Sequence, residues 1–461
     1  MTGFPISSAV FKIPVCPRLL LVLPLSVVYL HDYHPDLRMH CVKERWQVIF
    51  RSDDPNGSEN LPPPPDGGLQ AWIQVFCGHL VFFNSWGVSN SFSVFQQLYT
   101  QTLPQSASTI SWIGSVQVSL LFFMGAIAGR ATDAGYFRLV YSLGVLLQLV
   151  GIFTLSLCKT YWQIFLAQAV CMGLGNGLTF SPGLSITSSY FMKKRAFAVG
   201  LAAAGAATGG LIYPVLINQL LYNHDIGFGW TIRAAGLLML VTQTLAMVLF
   251  KPRLPPRTTG PLIEWGAFSE PPFLFFTISK FLNFWGLYFA FFYIGTFARD
   301  RLGLADTQNL VLVLNGVGIV GRIVPSIIGD RWTGKLNILI PFSFASAILI
   351  FCWIAVNTVA GLYAFTVVYG LVGGAAQSLF PATATTMTPD IKRTGTRLGM
   401  ILSIVGFATL TGTAIEGALI TRAGGSYVGA QVFAGVCIVL GAFAAVAARV
   451  AKVGWKWNVK A

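Results

Sequence analysis

Charge is what this sequence has least of. Asp, Glu, Lys and Arg together make up 10% of its 461 residues, against 54% apolar. A water-soluble domain carries roughly 25% charged residues. That shortage excludes a chain folded wholly in water and makes lipid the solvent for most of it. Paired cysteines are missing too. Cys16, Cys41, Cys77, Cys158, Cys171, Cys352 and Cys437 are scattered, with no CxxC. A disulfide framework and a zinc site are thereby excluded, and the thiols read as small apolar groups. No GxxxxGK[ST] loop is present to cradle a nucleotide phosphate. His79 and His224 are isolated, so the clustered constellation of a membrane-embedded enzyme is lacking. The net charge of +14 comes without interleaved basic and aromatic residues in a polar segment, which argues against nucleic acid. No cofactor and no metal is expected.

What is there is a series of long apolar runs. A helix crosses the hydrocarbon with about 20 apolar residues. The runs predict twelve transmembrane helices, at 71–95, 110–129, 138–158, 162–187, 196–220 and 229–250, then 272–297, 308–329, 336–356, 360–386, 396–420 and 427–450. This is an all-α membrane fold of two six-helix halves, 66–250 and 272–450. A proline-rich cytosolic linker, 251–271, carries two acids between them, and 451–461 is a short cytosolic tail. Residues 1–65 read as a disordered cytosolic tail. Its Leu19–Leu30 run is too short to span and no small-residue cleavage site follows. The Asn56-Gly57-Ser58 acceptor pattern is idle if the tail is cytosolic. Lys and Arg crowd alternate loops, whereas the other loops hold only Lys159, Arg299, Arg301 and Arg422. The positive-inside rule then puts both termini in the cytosol. The plasma membrane is the default location, and the lipid bilayer is the surrounding partner of a monomer.

The halves echo one another. Gly129-Arg-Ala-Thr-Asp133 runs on to Arg138 after the second span, and Gly329-Asp330-Arg331 follows the eighth. Arg130, Asp133, Arg138, Asp330 and Arg331 are therefore candidates for a cytosolic charge clasp that holds one access state. Ordinary solvated loop charge is the alternative. Glycines four apart suit close helix packing in lipid, and Pro182 marks a bend in the fourth span.

Ionisable groups inside spans are expensive and point to function. Arg322 lies roughly 10 Å and Lys280 roughly 12 Å from the inner ends of their helices at 1.5 Å per residue. Both are candidate substrate ligands, with snorkelling to headgroups as the alternative. Arg233, near an outer end, reads as snorkelling. Glu416 is an acid well inside a span, either a proton site or a solvated residue of an outer vestibule. His79, Phe83, Trp86 and Asn90 share one face of the first span by their spacing. Asn84 lies near the midplane on another face. Asn84 and Asn90 are candidate substrate contacts, with interhelical hydrogen bonding as the alternative.

Several phrases resemble a known family. Asp66-Gly67-Gly68-Leu69-Gln70-Ala71-Trp72 and Tyr190-Phe191-Met192-Lys193-Lys194-Arg195, continuing to Gly200, Gly205 and Gly209, are similar to the two signatures of the monocarboxylate transporters within the major facilitator superfamily. Phe83-Asn84-Ser85-Trp86-Gly87, Gly175-Asn176-Gly177 and Gly395–Met400 resemble its fungal branch. The resemblance implies a secondary transporter working by alternating access on a small organic, acidic substrate, with or without protons. It puts the family's anion-binding Arg on Arg322. Two departures set the lactate-type proton mechanism aside: Asn90 stands near the family's Lys, and Gly318 stands where an Asp precedes the Arg. The fungal branch implies export of a secondary metabolite. The alternatives are an importer of a monocarboxylate or vitamin-like solute, and a transporter-like nutrient sensor that signals without net flux.

Overall fold

The computed structural model describes residues 63–460 except 225, 258–260, 305–306, 389, 391–392 and 457–458. The expected disordered tail lies outside the described residues apart from its last few. The described chain is helical throughout, as lipid requires: with no water in the hydrocarbon, each backbone N–H and C=O must bond within its own segment. In chain order the helical segments are α1 (Leu69–Asn90), α2 (Phe92–Thr102), α3 (Thr109–Leu155), α4 (Tyr161–Ser189), α5 (Arg195–Tyr222), α6 (Phe228–Leu249), α7 (Pro271–Leu302), α8 (Gln308–Thr333), α9 (Lys335–Trp353), α10 (Val359–Met387), α11 (Thr394–Arg422) and α12 (Val428–Val453).

Among the described residues, ten of these segments, α3 to α12, are long and apolar enough to cross a membrane. The fold is all-α and multi-spanning. Two features separate this from the twelve expected runs. First, α1 falls short in apolarity because it carries Gln70, Gln74, His79, Asn84 and Asn90. Second, α3 runs for 47 residues, about twice the length of one crossing. It is broken at Gly135, whose φ of +89° interrupts the helical geometry. A side chain there would be strained, and its Cβ would also lie 2.7 Å from Cγ of Pro256 in the linker. The expected first span, 71–95, is likewise cut short. The helix stops at Asn90, where the Ser91 hydroxyl donates back to the Gly87 carbonyl. A second helix, α2, then buries Phe92, Phe95 and Tyr99 on one face.

Local signals fix the ends. Asp66 and Gly68, at φ +52° and +83°, turn the chain into α1. Thr358 accepts a hydrogen bond from the Gly361 N–H at the start of α10. The double proline Pro271-Pro272 opens α7, and Gly303 closes it in the left-handed conformation. Packing follows small residues: Gly205 and Gly209 of α5 sit directly on the α1 backbone at His79 and Phe83, where no Cβ would fit.

The apolar core is divided in an informative way. One cluster, with Phe153, Tyr161 and Tyr213, lies wholly in α1–α6. Another, with Phe289, Trp353 and Tyr369, lies wholly in α7–α12. The largest joins both sets of helices, from Phe82, Trp86 and Phe180 through Phe284, Tyr288 and Phe380 to Leu402. The two sets are thus welded in the middle and at the end that carries the basic loops, and are packed separately at the opposite end.

Candidate functional site

The middle of the bundle holds a cavity between the two helix sets. Phe82 and Trp86 of α1, Phe122 of α3 and Phe180 of α4 line one side. Phe284 and Tyr288 of α7, Arg322 of α8 and Gln377 and Phe380 of α10 line the other. A second cavity lies toward the opposite end, between Ser89, Asn90, Gln96, Phe292 and Asn315. Trp86 and Tyr288 border both. Their rings, 5.6 Å apart and only 16° from parallel, form the partition. Each cavity has about 30 Å³ of free space, room for about two water molecules. A metabolite can enter only when the helix sets part.

Arg322 is 2% exposed. Its guanidinium donates to the Gly318 carbonyl and to Oε1 of Gln377, both at 3.1 Å. Among the described residues no carboxylate lies within ion-pair distance of it. Gly318, the departure seen in the sequence, is part of this arrangement. A Cβ at 318 would come 2.6 Å from the Arg322 Nη1, so the glycine gives the guanidinium its place.

The other sequence candidates separate. Asn90 lines the second cavity, where its amide donates to Oδ1 of Asn315 at 3.3 Å, one residue from each helix set. Asn84 follows the interhelical alternative: it is fully buried, donates to the Leu80 carbonyl, and accepts from Tyr213 and Thr242. Its amide is spent on tying α1 to α5 and α6, and it borders neither cavity. Lys280 is 1% exposed and does not snorkel. It lies about two turns before Tyr288, its ammonium is 5.4 Å from the Phe276 ring, and it borders neither cavity. Glu416 sits deeper than a vestibule would place it. It is 0% exposed, so it is no solvated vestibule residue, and neither carboxylate oxygen has a hydrogen-bond partner among the described residues. The titratable groups in its electrostatic reach are Tyr293 of α7, Tyr369 of α10 and Cys437 of α12. Spacing alone groups His79 and Phe83 with Trp86 and Asn90. They face α5 instead, His79 bonding Leu201 and Thr208.

At the basic end the two echoing aspartates do related things. Asp133 of α3 accepts from the N–H of Thr396 at 2.7 Å and from its hydroxyl at 2.9 Å, at the first turn of α11. Asp330 of α8 accepts from the N–H groups of Ala196 and Phe197, at the first turn of α5, at 3.1 and 2.7 Å. Each carboxylate reaches across to the other helix set and satisfies orphan donors at a helix N-terminus, where the helix dipole also favours an anion. The aspartates thus add helix-end N–H groups to their charged neighbours: Arg130 and Arg257 lie near Asp133, and Lys335 pairs with Asp330 at 3.8 Å. Arg138 and Arg331 are exposed, and Arg331 stacks on its own neighbour Trp332. Arg130 is buried and donates to the Arg257 carbonyl in the linker.

The linker is the part that sequence reasoning missed. Its acids, Glu264 and Glu270, both bond Arg397 of α11, at 2.9 and 2.6 Å, and Glu264 also bonds Arg393 at 2.8 Å. Partial burial pushes Glu264 up, but the hydrogen bonds and charges of Arg397 and Arg393 outweigh it and hold the carboxyl below the ordinary glutamate value. The Arg257 N–H bonds the Asp133 carbonyl at 2.7 Å. The two sequence signatures also meet here: Oδ1 of Asp66 accepts from the N–H groups of Met192 and Lys193, and Trp72 packs on Phe191 and Phe197. Acids in a proline-rich linker were the available signal. Gln377 gave none, being one amide in an apolar helix.

Comparison with known proteins fits this geometry. Residues 77–359 match the Major Facilitator Superfamily model. An "MFS-type transporter" of Gibberella zeae is 45% identical over 87% of this chain and 92% of its own length. The "Aspyridones efflux protein apdF" of Emericella nidulans is 34% identical over 84% of this chain and 79% of its own. Among solved structures, the human organic anion transporter MFSD10 superposes with a TM-score of 0.67 at 10% identity, covering 83% of this chain and 100% of that one; it speaks for the fold alone. The chain belongs to the Major Facilitator Superfamily.

Proposed function

We propose that this secondary transporter exports an acidic organic metabolite, with Arg322 as the ligand for its anionic group. The observation that carries the reading is a buried guanidinium with no carboxylate partner among the described residues. A buried cation left unpaired is costly, and retaining one makes sense when the substrate brings the counter-charge. Export is favoured by the name of the Emericella nidulans relative, an efflux protein. The signatures at Asp66–Trp72 and Tyr190–Arg195 favour the monocarboxylate-carrier branch.

In this reading α3 makes two crossings, α1 makes one, and the twelve spans form two halves, 66–250 and 272–450, joined by the linker 251–271. Both termini are cytosolic, the basic end faces the cytosol, and the chain works as a monomer in the plasma membrane. Rocking of the halves about the central cavity exposes it to each side in turn. Glu416, a buried carboxyl with no hydrogen-bond partner among the described residues, is its proton site, and Lys280 adds positive potential below the cavity.

An Arg322→Ala protein that reaches the membrane should lose export of the acidic metabolite at least tenfold, since hydrogen bonds to a charged group contribute about 1.5–3 kcal/mol. Comparing metabolites inside and outside a deletion strain carrying either form measures this. Normal export by the variant would sink the reading. Glu416→Gln should leave substrate exchange intact while abolishing the dependence of net flux on the pH gradient. An undiminished gradient effect would remove Glu416 from the coupling.

A further inference from the structure

We infer that the substrate is a flat aromatic acid: a planar π-system held between Trp86 and Tyr288, with an oxyanion at one edge against Arg322 and Gln377. This rests on the proposed role of Arg322 and adds what the rest of the molecule must look like.

The walls of the central cavity are the first observation. A cavity for an aliphatic acid needs only Leu, Ile and Val. This one is bordered by rings, in a connected set. Trp86 packs on Phe122 at 5.5 Å, Phe122 on Phe284 at 5.8 Å, Phe284 on Phe380 at 5.2 Å and on Tyr288 at 5.6 Å. Most of these pairs are steeply inclined, as free rings in a core prefer to be. Trp86 and Tyr288 are the exception at 16°. They come from opposite helix sets, so the spacing of their planes changes when the sets move. A flat guest between two parallel rings needs about 7 Å, two van der Waals layers of about 3.5 Å each. Their centroids are 5.6 Å apart, so their planes are no farther apart than that; parting them by a few ångströms more is a small part of an opening motion that leaves two near-parallel faces.

The polar edge is the second observation. Arg322 has five N–H donors and spends one on Gly318 and one on Gln377. The buried Nε2 of Gln377 has no acceptor among the described residues. With its Oε1 occupied by Arg322, Gln377 presents this corner of the cavity with a donor. Both groups therefore present donors at one corner, and a group that only accepts satisfies them: a carboxylate, or the oxyanion of an acidic enol or phenol. An aromatic alcohol or amine would bring a donor of its own to a corner that already has them.

The test is calorimetric binding to the purified full-length chain in lipid nanodiscs, with three probes: 2-naphthoate, its methyl ester, and the saturated decalin-2-carboxylate. The naphthoate should bind about tenfold more tightly than the ester, which lacks the charge. It should also bind about tenfold more tightly than the decalin acid, which lacks the two stacking faces. Phe380→Leu keeps an apolar wall while Trp86→Leu removes one stacking face. The second should bring the two acids to parity; the first should not. Equal binding of the two acids by the unaltered chain, with the ester still weaker, overturns the aromatic assignment and leaves the anion reading standing. Equal binding of naphthoate and its ester overturns the Arg322 reading instead. No binding of either acid at millimolar concentration overturns both.

Discussion

The two ends of the bundle are held by different chemistry. At the basic end the helix sets are joined by ions: Asp133 on the first turn of α11, Asp330 on the first turn of α5, and a linker whose Glu264 and Glu270 grip Arg397. At the opposite end the contacts between the sets are neutral and long. Asn90 meets Asn315 at 3.3 Å, Ser115 meets Thr413 at 3.3 Å, and Gln308 meets the Pro214 carbonyl at 3.4 Å. Charge-assisted hydrogen bonds are about twice as strong as neutral ones, and the apolar core that spans the sets runs from the middle to the basic end and not to the opposite one. The lesson is that the two directions of opening are unequal: parting the neutral end disturbs little, and parting the ionic end breaks most of what joins the halves.

That inequality can be broken. Asp133→Ala should have the largest effect, because it strands two donors at the start of α11, each hydrogen bond to a charged group contributing about 1.5–3 kcal/mol. The population should move at least tenfold toward opening at the basic end. Labelling of a Gln96→Cys reporter in the second cavity by an impermeant thiol reagent should slow accordingly, and an unchanged rate would refute the clasp. Arg397→Gln should act in the same direction but less strongly, about fivefold, since Glu270 is partly solvated and its pairing is screened; the same reporter reads it. Asn90→Ala should act in the reverse direction and least, twofold to threefold, because a neutral bond contributes about 0.5–1.5 kcal/mol. Faster labelling of Gln96→Cys checks it, and slowing would contradict the assignment of that pair.

Much of the fold could be read from hydrophobic runs, because the bilayer sets helix length and forbids other backbone. Arg322 stood out for the same reason: a charge in a span has to be explained. What could not be read was direction. Asn84 and Asn90 are six residues apart in one polar helix and both bond α5, yet Asn84 spends a further bond on α6 while Asn90 borders a cavity and reaches Asn315 across it. Spacing puts residues on a face and does not say what the face meets. The aspartates were recognised by their recurrence, but the bonds that carry them across to the other helix set go largely to backbone N–H groups, which carry no signature in the sequence. The linker acids were visible as charges, while Arg397, their partner, is distant in the chain.

The Trp86–Tyr288 pair has a consequence for how tightly the carrier is sealed. A channel is closed by a lid that can flicker independently of the rest of the protein. Here the closure is two rings, one from each helix set, each wedged among further rings of the shared core, so moving either aside disturbs the packing that joins the sets. The barrier is then as stiff as the bundle itself. Small solutes should find no shortcut through it, and leakage should occur no faster than the full transport cycle turns over.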